Sequence, residues 1–216
     1  MKESRIIIRV VAIVVLGLLS ASVLAQSTGG NYEVTPFGAF SIGGTFSDAE
    51  SAVEAELQDS GSFGLLFDIR EGSNTQWEIL YAQQRTDADI VGAANGEAEL
   101  DMRIHHLQIG GTYQGDGERI RPYLAATLGA AHYDVLTAGY DSDTFFSFSI
   151  GPGLQIRPSS RVGLRLEARL FGSWVQSDSR LFCISDPGGG NAGCALLVSG
   201  EILWQVQAMA GVVVRF

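Results

Sequence analysis

The last fifteen residues of the chain carry two chemically different sets of side chains in alternation. The even positions are apolar or small: Ile202, Trp204, Val206, Ala208, Ala210, Val212, Val214 and Phe216. The odd positions include the polar residues Gln205, Gln207 and Arg215 and the glycine Gly211. Because successive side chains of a strand leave opposite faces, this period of two predicts a β-strand. One side is too long and too apolar for an ordinary half-buried strand. A strand that crosses a membrane has this form, with lipid on one side and a polar lumen on the other.

The first 25 residues have the layout of a secretory signal peptide. A positive start is followed by an apolar core, and small residues up to Ala25 offer a cleavage site. A permanent transmembrane helix is the alternative. The apolar run Ile6–Leu19 disfavours it, because Arg9 interrupts the run and it is shorter than the roughly 20 residues that a bilayer requires. We therefore predict cleavage of residues 1–25 and a single domain over residues 26–216.

The predicted mature domain is strongly acidic. The whole chain has 14 basic and 24 acidic residues, and residues 1–25 contain three of the basic and one of the acidic ones, which leaves 11 against 23, a net charge of −12. An acidic exported protein is a poor candidate for binding nucleic acid or anionic lipid by charge alone. We expect no nucleic-acid partner, and the sequence contains no motif that calls for a cofactor.

Seven further segments alternate and complete a set of eight predicted strands. In chain order the eight are Tyr32–Phe46, Ser62–Arg70, Gln76–Thr86, Met102–Tyr113, Pro122–Val135, Phe145–Arg157, Val162–Val175 and Ile202–Phe216. Short connections rich in turn formers lie at Glu71–Thr75, Gln114–Arg119 and Pro158–Arg161. Long ones lie at Ser47–Gly61, Asp87–Asp101, Leu136–Asp143 and Gln176–Gly200.

The alternation of short and long connections predicts an all-β fold: a closed eight-stranded antiparallel up-and-down transmembrane barrel with turns in the periplasm and loops outside. Closure is required because an open sheet edge in lipid leaves backbone groups unpaired. A soluble lipocalin-type barrel is the alternative, and it predicts polar outer faces. The predicted strands seven and eight instead place their charged residues opposite a continuous apolar face.

From Tyr32 to Phe216 the chain resembles the small eight-stranded outer-membrane barrels of Gram-negative bacteria, the broad family that includes OmpA- and OmpX-type barrels. The features that carry the resemblance are the loop-length alternation, the aromatic-ended last strand, Arg121-Pro-Tyr123 and Ile109-Gly-Gly-Thr-Tyr113. The resemblance implies a monomer in the cell outer membrane, in contact with its lipid and lipopolysaccharide. It also implies that the end of the last strand is read by the barrel-assembly machinery, an assembly signal that we place at Trp204, Val212, Val214 and Phe216.

Polar faces of three predicted strands converge on the interior of the barrel, which in an eight-stranded barrel is just wide enough for side chains to fill. The predicted lumen charge cluster comprises Asp68, Arg70, Glu78, Arg165, Glu167 and Arg169. Enclosed charges must be paired, because an unpaired buried ion is costly. Two interpretations remain open: a structural plug of salt bridges, or a gate whose pairs exchange partners and open a narrow ion path.

The two cysteines, Cys183 and Cys194, both lie in the last long loop. An even pair across a flexible loop in an oxidising compartment predicts a disulfide. Two cysteines without a nearby histidine make a poor metal site, and we expect no metal there.

The histidines give little support for an enzyme. His105 and His106 are adjacent on a strand, so they face opposite sides and do not form a pair. Some small outer-membrane barrels are lipid-A-modifying enzymes, and His132 lies near the outer rim of predicted strand five. No His-x-Ser arrangement accompanies it and no nucleophile stands out, so we predict no catalytic residues.

The first two long loops are acidic and contain Asp48, Glu50, Glu54, Glu56, Asp59, Asp87, Asp89, Glu97, Glu99 and Asp101. They are either a solvated surface or sites where divalent cations bridge to lipopolysaccharide phosphates. The first loop is also compatible with a short amphipathic helix through Ala49, Ala52, Val53 and Leu57. The sequence therefore predicts a plugged outer-membrane barrel with a structural or surface-interaction role through four external loops. A narrow channel is the alternative and a lipid-modifying enzyme the third.

Overall fold

The computed structural model describes residues 30–47, 54–91, 98–137, 142–157, 159–175, 183–185, 191–194 and 202–216. The twelve strands in this part of the chain are β1 Tyr32–Ile42, β2 Thr45–Ser47, β3 Glu54–Leu57, β4 Ser60–Arg70, β5 Thr75–Val91, β6 Ala98–Gln114, β7 Ile120–Val135, β8 Asp143–Ile156, β9 Val162–Trp174, β10 Cys183–Ser185, β11 Asn191–Cys194 and β12 Ile202–Arg215. Among these described residues, no helix is long and apolar enough to cross a membrane.

Eight of the strands form a closed antiparallel barrel, as the sequence predicts. Around the ring the order is β1, β4, β5, β6, β7, β8, β9 and β12, and β12 pairs with β1 to close it. Every neighbouring pair is antiparallel, so no strand of the ring presents an open edge. The short connections 71–74, 115–119 and 157–161 lie at one end of the barrel, here called the turn end. The longer connections lie at the other, the loop end.

Alternation along each strand separates an apolar outer surface from a polar interior. On β9, the side chains of Leu164 and Leu166 point outward and are exposed, whereas Arg165 and Glu167 point inward and are buried. The same division holds on β12, where Trp204 lies outside. An apolar outer surface is what lipid requires, and it is the reverse of the polar outer face predicted by a soluble barrel.

The two faces exchange character toward the loop end of the β5–β6 hairpin. Below this region the outward residues are apolar, such as Tyr81 and Leu107. Above it the outward positions become polar, beginning with the pair Gln83 and His105. The inward positions stay buried. Those of β6 become apolar, and β5 follows at Ala88, beyond the polar Gln84 and Thr86; the buried apolar residues are Ala88, Leu100, Met102 and Ile104. The polar outer face indicates that the hairpin leaves the lipid here and continues into water.

The strands of this hairpin are therefore longer than the sequence predicts. The predicted loop Asp87–Asp101 is wrong for most of its length, because β5 continues to Val91 and β6 starts at Ala98. The acidic residues Asp87 and Asp101 lie directly opposite each other in the β5–β6 ladder, not in a loop.

The first long connection also contains strands. The predicted strand Tyr32–Phe46 ends as a barrel strand at Ile42, because Gly43 and Gly44 adopt positive φ angles of 82° and 121° that favour glycine. The predicted short helix is wrong for Glu54–Leu57, which is strand β3 and pairs with the extended end of β5. The backbone pairing explains this choice, since it buries the Leu57 side chain inside the loop end. The remaining positions of the predicted helix, Ala49, Ala52 and Val53, lie outside the described residues.

Candidate functional site: the barrel lumen

A charge cluster occupies the middle of the lumen, and β9 supplies three of its side chains. Arg165, Glu167 and Arg169 follow one another on the inward face of β9, because residues two apart share a face. Asp68 projects inward from β4 and Glu78 from β5, where the two lie opposite each other in the ladder. All five side chains are at most 5% exposed. We call these five residues the central cluster.

The two arginines connect the three carboxylates. Arg165 Nη1 lies 3.1 Å from Asp68 Oδ2, its Nη2 lies 2.9 Å from Glu167 Oε2, and Nη2 also contacts Glu78 Oε2. Arg169 Nη2 donates to Glu78 Oε1 at 2.8 Å, and its Nε donates to Glu167 Oε1. Planar guanidinium groups suit such a network, because each presents several donors in a fixed fork.

These contacts cross the full width of the barrel. In the closed order of eight strands, β5 and β9 are four strands apart, so Arg169 and Glu78 join opposite walls. Arg165 also reaches Asp68 on β4, three strands away around the ring. The cluster therefore fills the lumen at this level and does not merely line one wall.

Tyr123, a residue that the sequence did not assign to the cluster, completes it. Its hydroxyl donates to Glu167 Oε2 at 2.5 Å and accepts from Arg165 Nε at 2.7 Å. The guanidinium carbon of Arg165 also lies 4.6 Å from the centre of the Tyr123 ring, a cation–π distance. The two faces of predicted strand five look alike in the sequence, and for that reason alternation did not reveal the tyrosine.

Toward the loop end, neutral side chains replace the charges. Gln108 on β6 donates to Ser147 Oγ of β8 at 2.8 Å and accepts from Thr127 and Ser149 at 2.7 Å each. An apolar group formed by Phe37, Leu66, Leu80, Ala82, Phe171 and Met209 packs inside the barrel next to these polar groups. The buried apolar residues of the loop end lie above them. The interior is thus occupied at several successive levels.

The structure brings together five of the six predicted cluster residues, and Arg70 lies elsewhere. Arg70 is the last residue of β4, at the turn end, and its Nη2 lies 3.5 Å from Glu33 Oε1. Its side chain is about one third exposed, whereas those of the central cluster are enclosed. Alternation places Arg70 on the inward face of its strand but does not give its height, that is, its position along the barrel axis.

Two of the three histidines lie side by side on the outer face, and the third points inward. His105 and His132 are direct partners in the β6–β7 ladder, and their ring centroids lie 6.4 Å apart. His106 points inward, is buried and packs its ring 4.6 Å from that of Phe171. His105 points outward, where its Nδ1 lies 3.0 Å from the Tyr81 hydroxyl, and His132 Nδ1 lies 2.8 Å from Thr144 Oγ1. Within the described ranges, no group of three or more His, Cys, Asp or Glu side chains is arranged to hold a metal ion.

The cysteines and the end of the chain lie in different elements. The backbones of Cys183 and Cys194 are direct partners in the short β10–β11 ladder, within the last long connection. The side chains of these two residues lie outside the described part of the structure. On β12, Trp204 and Val212 are exposed on the outer face and Val214 is half-buried. Phe216 follows the last residue of β12.

The fold defines a small outer-membrane barrel, and a family comparison agrees. A profile of the family described as "Outer membrane protein beta-barrel domain" matches residues 11–216, so the chain belongs to that family and its place is the outer membrane. Comparison with curated protein sequences gives no significant match.

Two solved structures are similar in fold. Neisserial surface protein A (NspA) is 14% identical, with a TM-score of 0.54, over 88% of this chain and 100% of that chain. The outer membrane protein OprG from Pseudomonas aeruginosa is 13% identical, with a TM-score of 0.57, over 88% of this chain and 98% of that chain. At these identities the likeness shows the fold alone.

Proposed function

We propose that this protein is a plugged, monomeric outer-membrane barrel whose function is structural or lies in surface contacts made by its long loops, rather than in conduction or catalysis. The observation that carries the proposal is the contact of Arg169 with Glu78, which spans the lumen from β9 to β5. A solute that moved along the axis would have to separate this buried pair. Breaking a buried ion pair by removing one partner costs about 3–5 kcal/mol, which indicates the size of the barrier.

The layers toward the loop end support the same function. Above the central cluster, the interior contains hydrogen-bonded neutral side chains and then buried apolar groups such as Met102, Ile104 and Leu203. An ion that crossed this layer would lose its hydration and meet only neutral side chains. Two different obstacles therefore lie in series along the axis.

The loops carry the proposed contact function, with the loop end outside the cell and the turn end in the periplasm. Toward the loop end, Asp87 and Asp89 lie on the outer face of β5 and Asp101 on that of β6, where Asp87 and Asp101 are direct partners in the ladder. Carboxylate oxygens are hard ligands that suit divalent cations. We propose that such cations link this end of the barrel to the phosphates of lipopolysaccharide.

Planar-bilayer recording of the refolded barrel tests the proposal. We expect no stable single-channel steps from the wild-type protein at either polarity. Insertion is verified separately by the heat-modifiable shift of the folded barrel on gels. Regular conductance steps from a verified preparation would contradict the plug and favour the channel.

A narrow channel is the second candidate, because the central cluster has unsatisfied atoms. Within the described residues, Asp68 Oδ1 and Arg169 Nη1 are buried and lack a hydrogen-bond partner. Groups of this kind are commonly satisfied by internal water. If the lumen conducts along this path, the single-channel conductance of Asp68→Asn should differ from that of the wild type. Equal conductance in the two proteins would not support a path past Asp68.

A further inference from the structure

A second set of charges lies at the turn end, below the central cluster, and it consists mainly of arginines. Arg70 ends β4, Arg121 is the second residue of β7, Arg157 follows β8 and Arg215 ends β12. These positions come from four different parts of the closed ring, so their side chains surround the mouth of the lumen. We call the four residues the arginine ring.

Glu33 is the one carboxylate in the described part of the chain that pairs with this ring. Its Oε1 accepts from Arg215 Nε at 2.9 Å and lies 3.5 Å from Arg70 Nη2, while its Oε2 accepts from Gln155 Nε2 at 2.7 Å. Four guanidinium groups thus face one buried carboxylate. The ring carries three more positive than negative charges.

Among the described residues, the other two arginines of the ring donate to neutral acceptors. Arg121 Nη1 and Arg157 Nη2 both donate to Gln114 Oε1, at 3.2 and 3.0 Å, and Arg157 also donates to Gln155 Oε1. Burial, together with the positive charges of Arg215 and Arg121, lowers the pKa of Arg157 to about 10. Arg121 and Arg157 share the one oxygen of Gln114, which brings two like charges together at the mouth.

The adjoining turns do not cancel this charge. They contribute Arg119 and Arg161 on one side and Glu71, Asp116 and Glu118 on the other, which removes one unit. The turn end remains positive, although the predicted mature chain carries a net charge of −12. A positive mouth on a strongly acidic protein indicates an attraction for anions at this end.

Arg215 adds an unused donor inside the mouth. Its side chain is only 8% exposed, yet its Nη2 is buried and has no hydrogen-bond partner among the described residues. This nitrogen lies against the inner wall of β9, 3.1 Å from the position that a Cβ at Gly163 would occupy. Burying a donor without an acceptor is costly, so an acceptor at this place would stabilise the barrel.

We propose that the arginine ring is a binding site for a free oxyanion of the phosphate class. Guanidinium groups match phosphate oxygens with paired, charge-assisted hydrogen bonds, and several of them together favour a multiply charged anion. The partial exposure of Arg70, Arg121 and Arg157 gives access from the water at the mouth. A lipid headgroup offers the same chemistry. The ring faces the lumen rather than the lipid, however, and this favours an anion dissolved in water.

Calorimetric titration of the refolded barrel with inorganic phosphate tests the site. The protein is held in a zwitterionic detergent at constant ionic strength, and we expect saturable binding with a Kd in the millimolar range or below, as about 4 kcal/mol of binding energy provides. The double variant Arg121→Gln/Arg157→Gln should weaken binding by about ten-fold or more. The matched control is Arg85→Gln, which lies on the outer face of β5 and should bind as the wild type does.

Absence of saturable phosphate binding by the folded wild type would overturn the site. So would a loss of phosphate affinity in Arg85→Gln equal to that in the double variant. Folding of each variant is verified by the heat-modifiable gel shift before titration. If the double variant fails to fold, Arg70→Gln replaces it, because that side chain is about one third exposed and makes one long ion pair.

Nanodiscs distinguish the free anion from a lipid headgroup. Phosphate affinity should be the same in discs of phosphatidylcholine and in discs that also contain phosphatidylglycerol. Loss of phosphate binding in the discs that contain phosphatidylglycerol would assign the arginine ring to the lipid headgroup and overturn our assignment to a free anion. The result does not depend on whether the barrel conducts, so this proposal and the plug succeed or fail separately.

Discussion

A single side chain, Arg165, makes contact with every acidic residue of the central cluster and with Tyr123. Its hydrogen bonds extend to β4, β5 and β7, so one residue of β9 is linked to three other strands of the barrel. Charges enclosed in this way are tolerated only as a set, because removal of one partner leaves the others unpaired. The lumen therefore depends more on Arg165 than on any one of the carboxylates.

We predict that Arg165→Gln destabilises the barrel strongly. The variant leaves Asp68, Glu78 and Glu167 facing Arg169 alone, and loss of a partner from a buried pair costs about 3–5 kcal/mol. Urea unfolding of the protein in detergent micelles, followed by the heat-modifiable gel shift, measures the change. The control is Arg70→Gln. Its contact with Glu33 is long, at 3.5 Å, and Glu33 keeps Arg215 and Gln155 as partners, so we expect a loss below about 1 kcal/mol.

Glu167→Gln provides a contrast at the same level of the barrel. After this change, two carboxylates still face two guanidinium groups, and the amide oxygen still accepts from Tyr123. We therefore expect a smaller loss of stability than for Arg165→Gln. An equal or greater loss would show that the geometry of Glu167, and not the charge balance of the cluster, decides the stability.

The residues of the central cluster were predictable to the extent that alternation determines a face. Arg165, Glu167 and Arg169 follow directly from the period of two on β9. Height along the barrel is a different quantity, because it depends on the registers of all the strands between two residues. For that reason the sequence grouped Arg70 with residues that lie above it and did not connect Tyr123 to β9.

At the scale of the strand, the β5–β6 hairpin shows where period-two reasoning fails. In the lipid the apolar side chains point outward, and in water the same strands place them inward, as Ala88 and Leu100 do. The period of two continues along the hairpin, but the apolar side chains change from the outward to the inward face. The sequence predicts a loop over most of this reversed region, whose outward residues Asp87, Asp89 and Asp101 are acidic.

We predict a disulfide between Cys183 and Cys194. Their backbones are directly opposite in the β10–β11 ladder, and opposite residues of antiparallel strands have Cβ atoms about 4.5–5.5 Å apart, close to the Cβ separation that a disulfide requires. Alkylation of the denatured, non-reduced protein should modify no thiol. Two modified thiols would show that no bridge forms.

The bridge should act locally. It closes a connection outside the eight-stranded ring, whose ladder does not include β10 or β11. Reduction should make residues 185–193 more sensitive to protease and leave the gel shift of the folded barrel unchanged. Loss of that shift on reduction would mean that the bridge supports the barrel itself.

Deletion of Phe216 should impair assembly in cells far more than stability in vitro. The ladder of β12 includes Arg215, which pairs with Glu33, and Val214, which pairs with Val162, so the pairing with both neighbouring strands is made by residues before 216. Outer-membrane levels of the two forms in cells, compared with their urea unfolding in micelles, separate the effects. Equal outer-membrane levels of the wild type and of the variant without Phe216 would contradict the assembly-signal hypothesis.

For the whole molecule, we predict that the loop end faces outward from the cell. An epitope inserted within Ser47–Asp59 or Pro187–Gly193 should be detected by antibody on intact cells, because these segments connect strands at the loop end. One inserted at Gly115–Gly117, at the turn end, should be detected only after permeabilisation. Surface detection of the last insertion would invert the orientation.

The closed ring was predictable from the sequence because loop lengths and face alternation are properties of the chain taken segment by segment. The lumen was not, since its contacts join residues far apart, such as Glu33 with Gln155. Those contacts depend on the diameter of the ring and on the rotation of each strand. Sequence alone gives the residues available to the interior and leaves their partners open.

The ion pair that joins β9 to β5 also has a mechanical consequence. A hollow ring of eight strands flattens easily, because bending between neighbours preserves their hydrogen bonds. In this barrel, flattening that lengthens the β5–β9 diameter must pull Arg169 away from Glu78, and flattening that shortens it must press packed side chains together. The barrel therefore resists flattening in both directions, and we expect its cross-section to stay round when the lateral pressure of the surrounding bilayer changes.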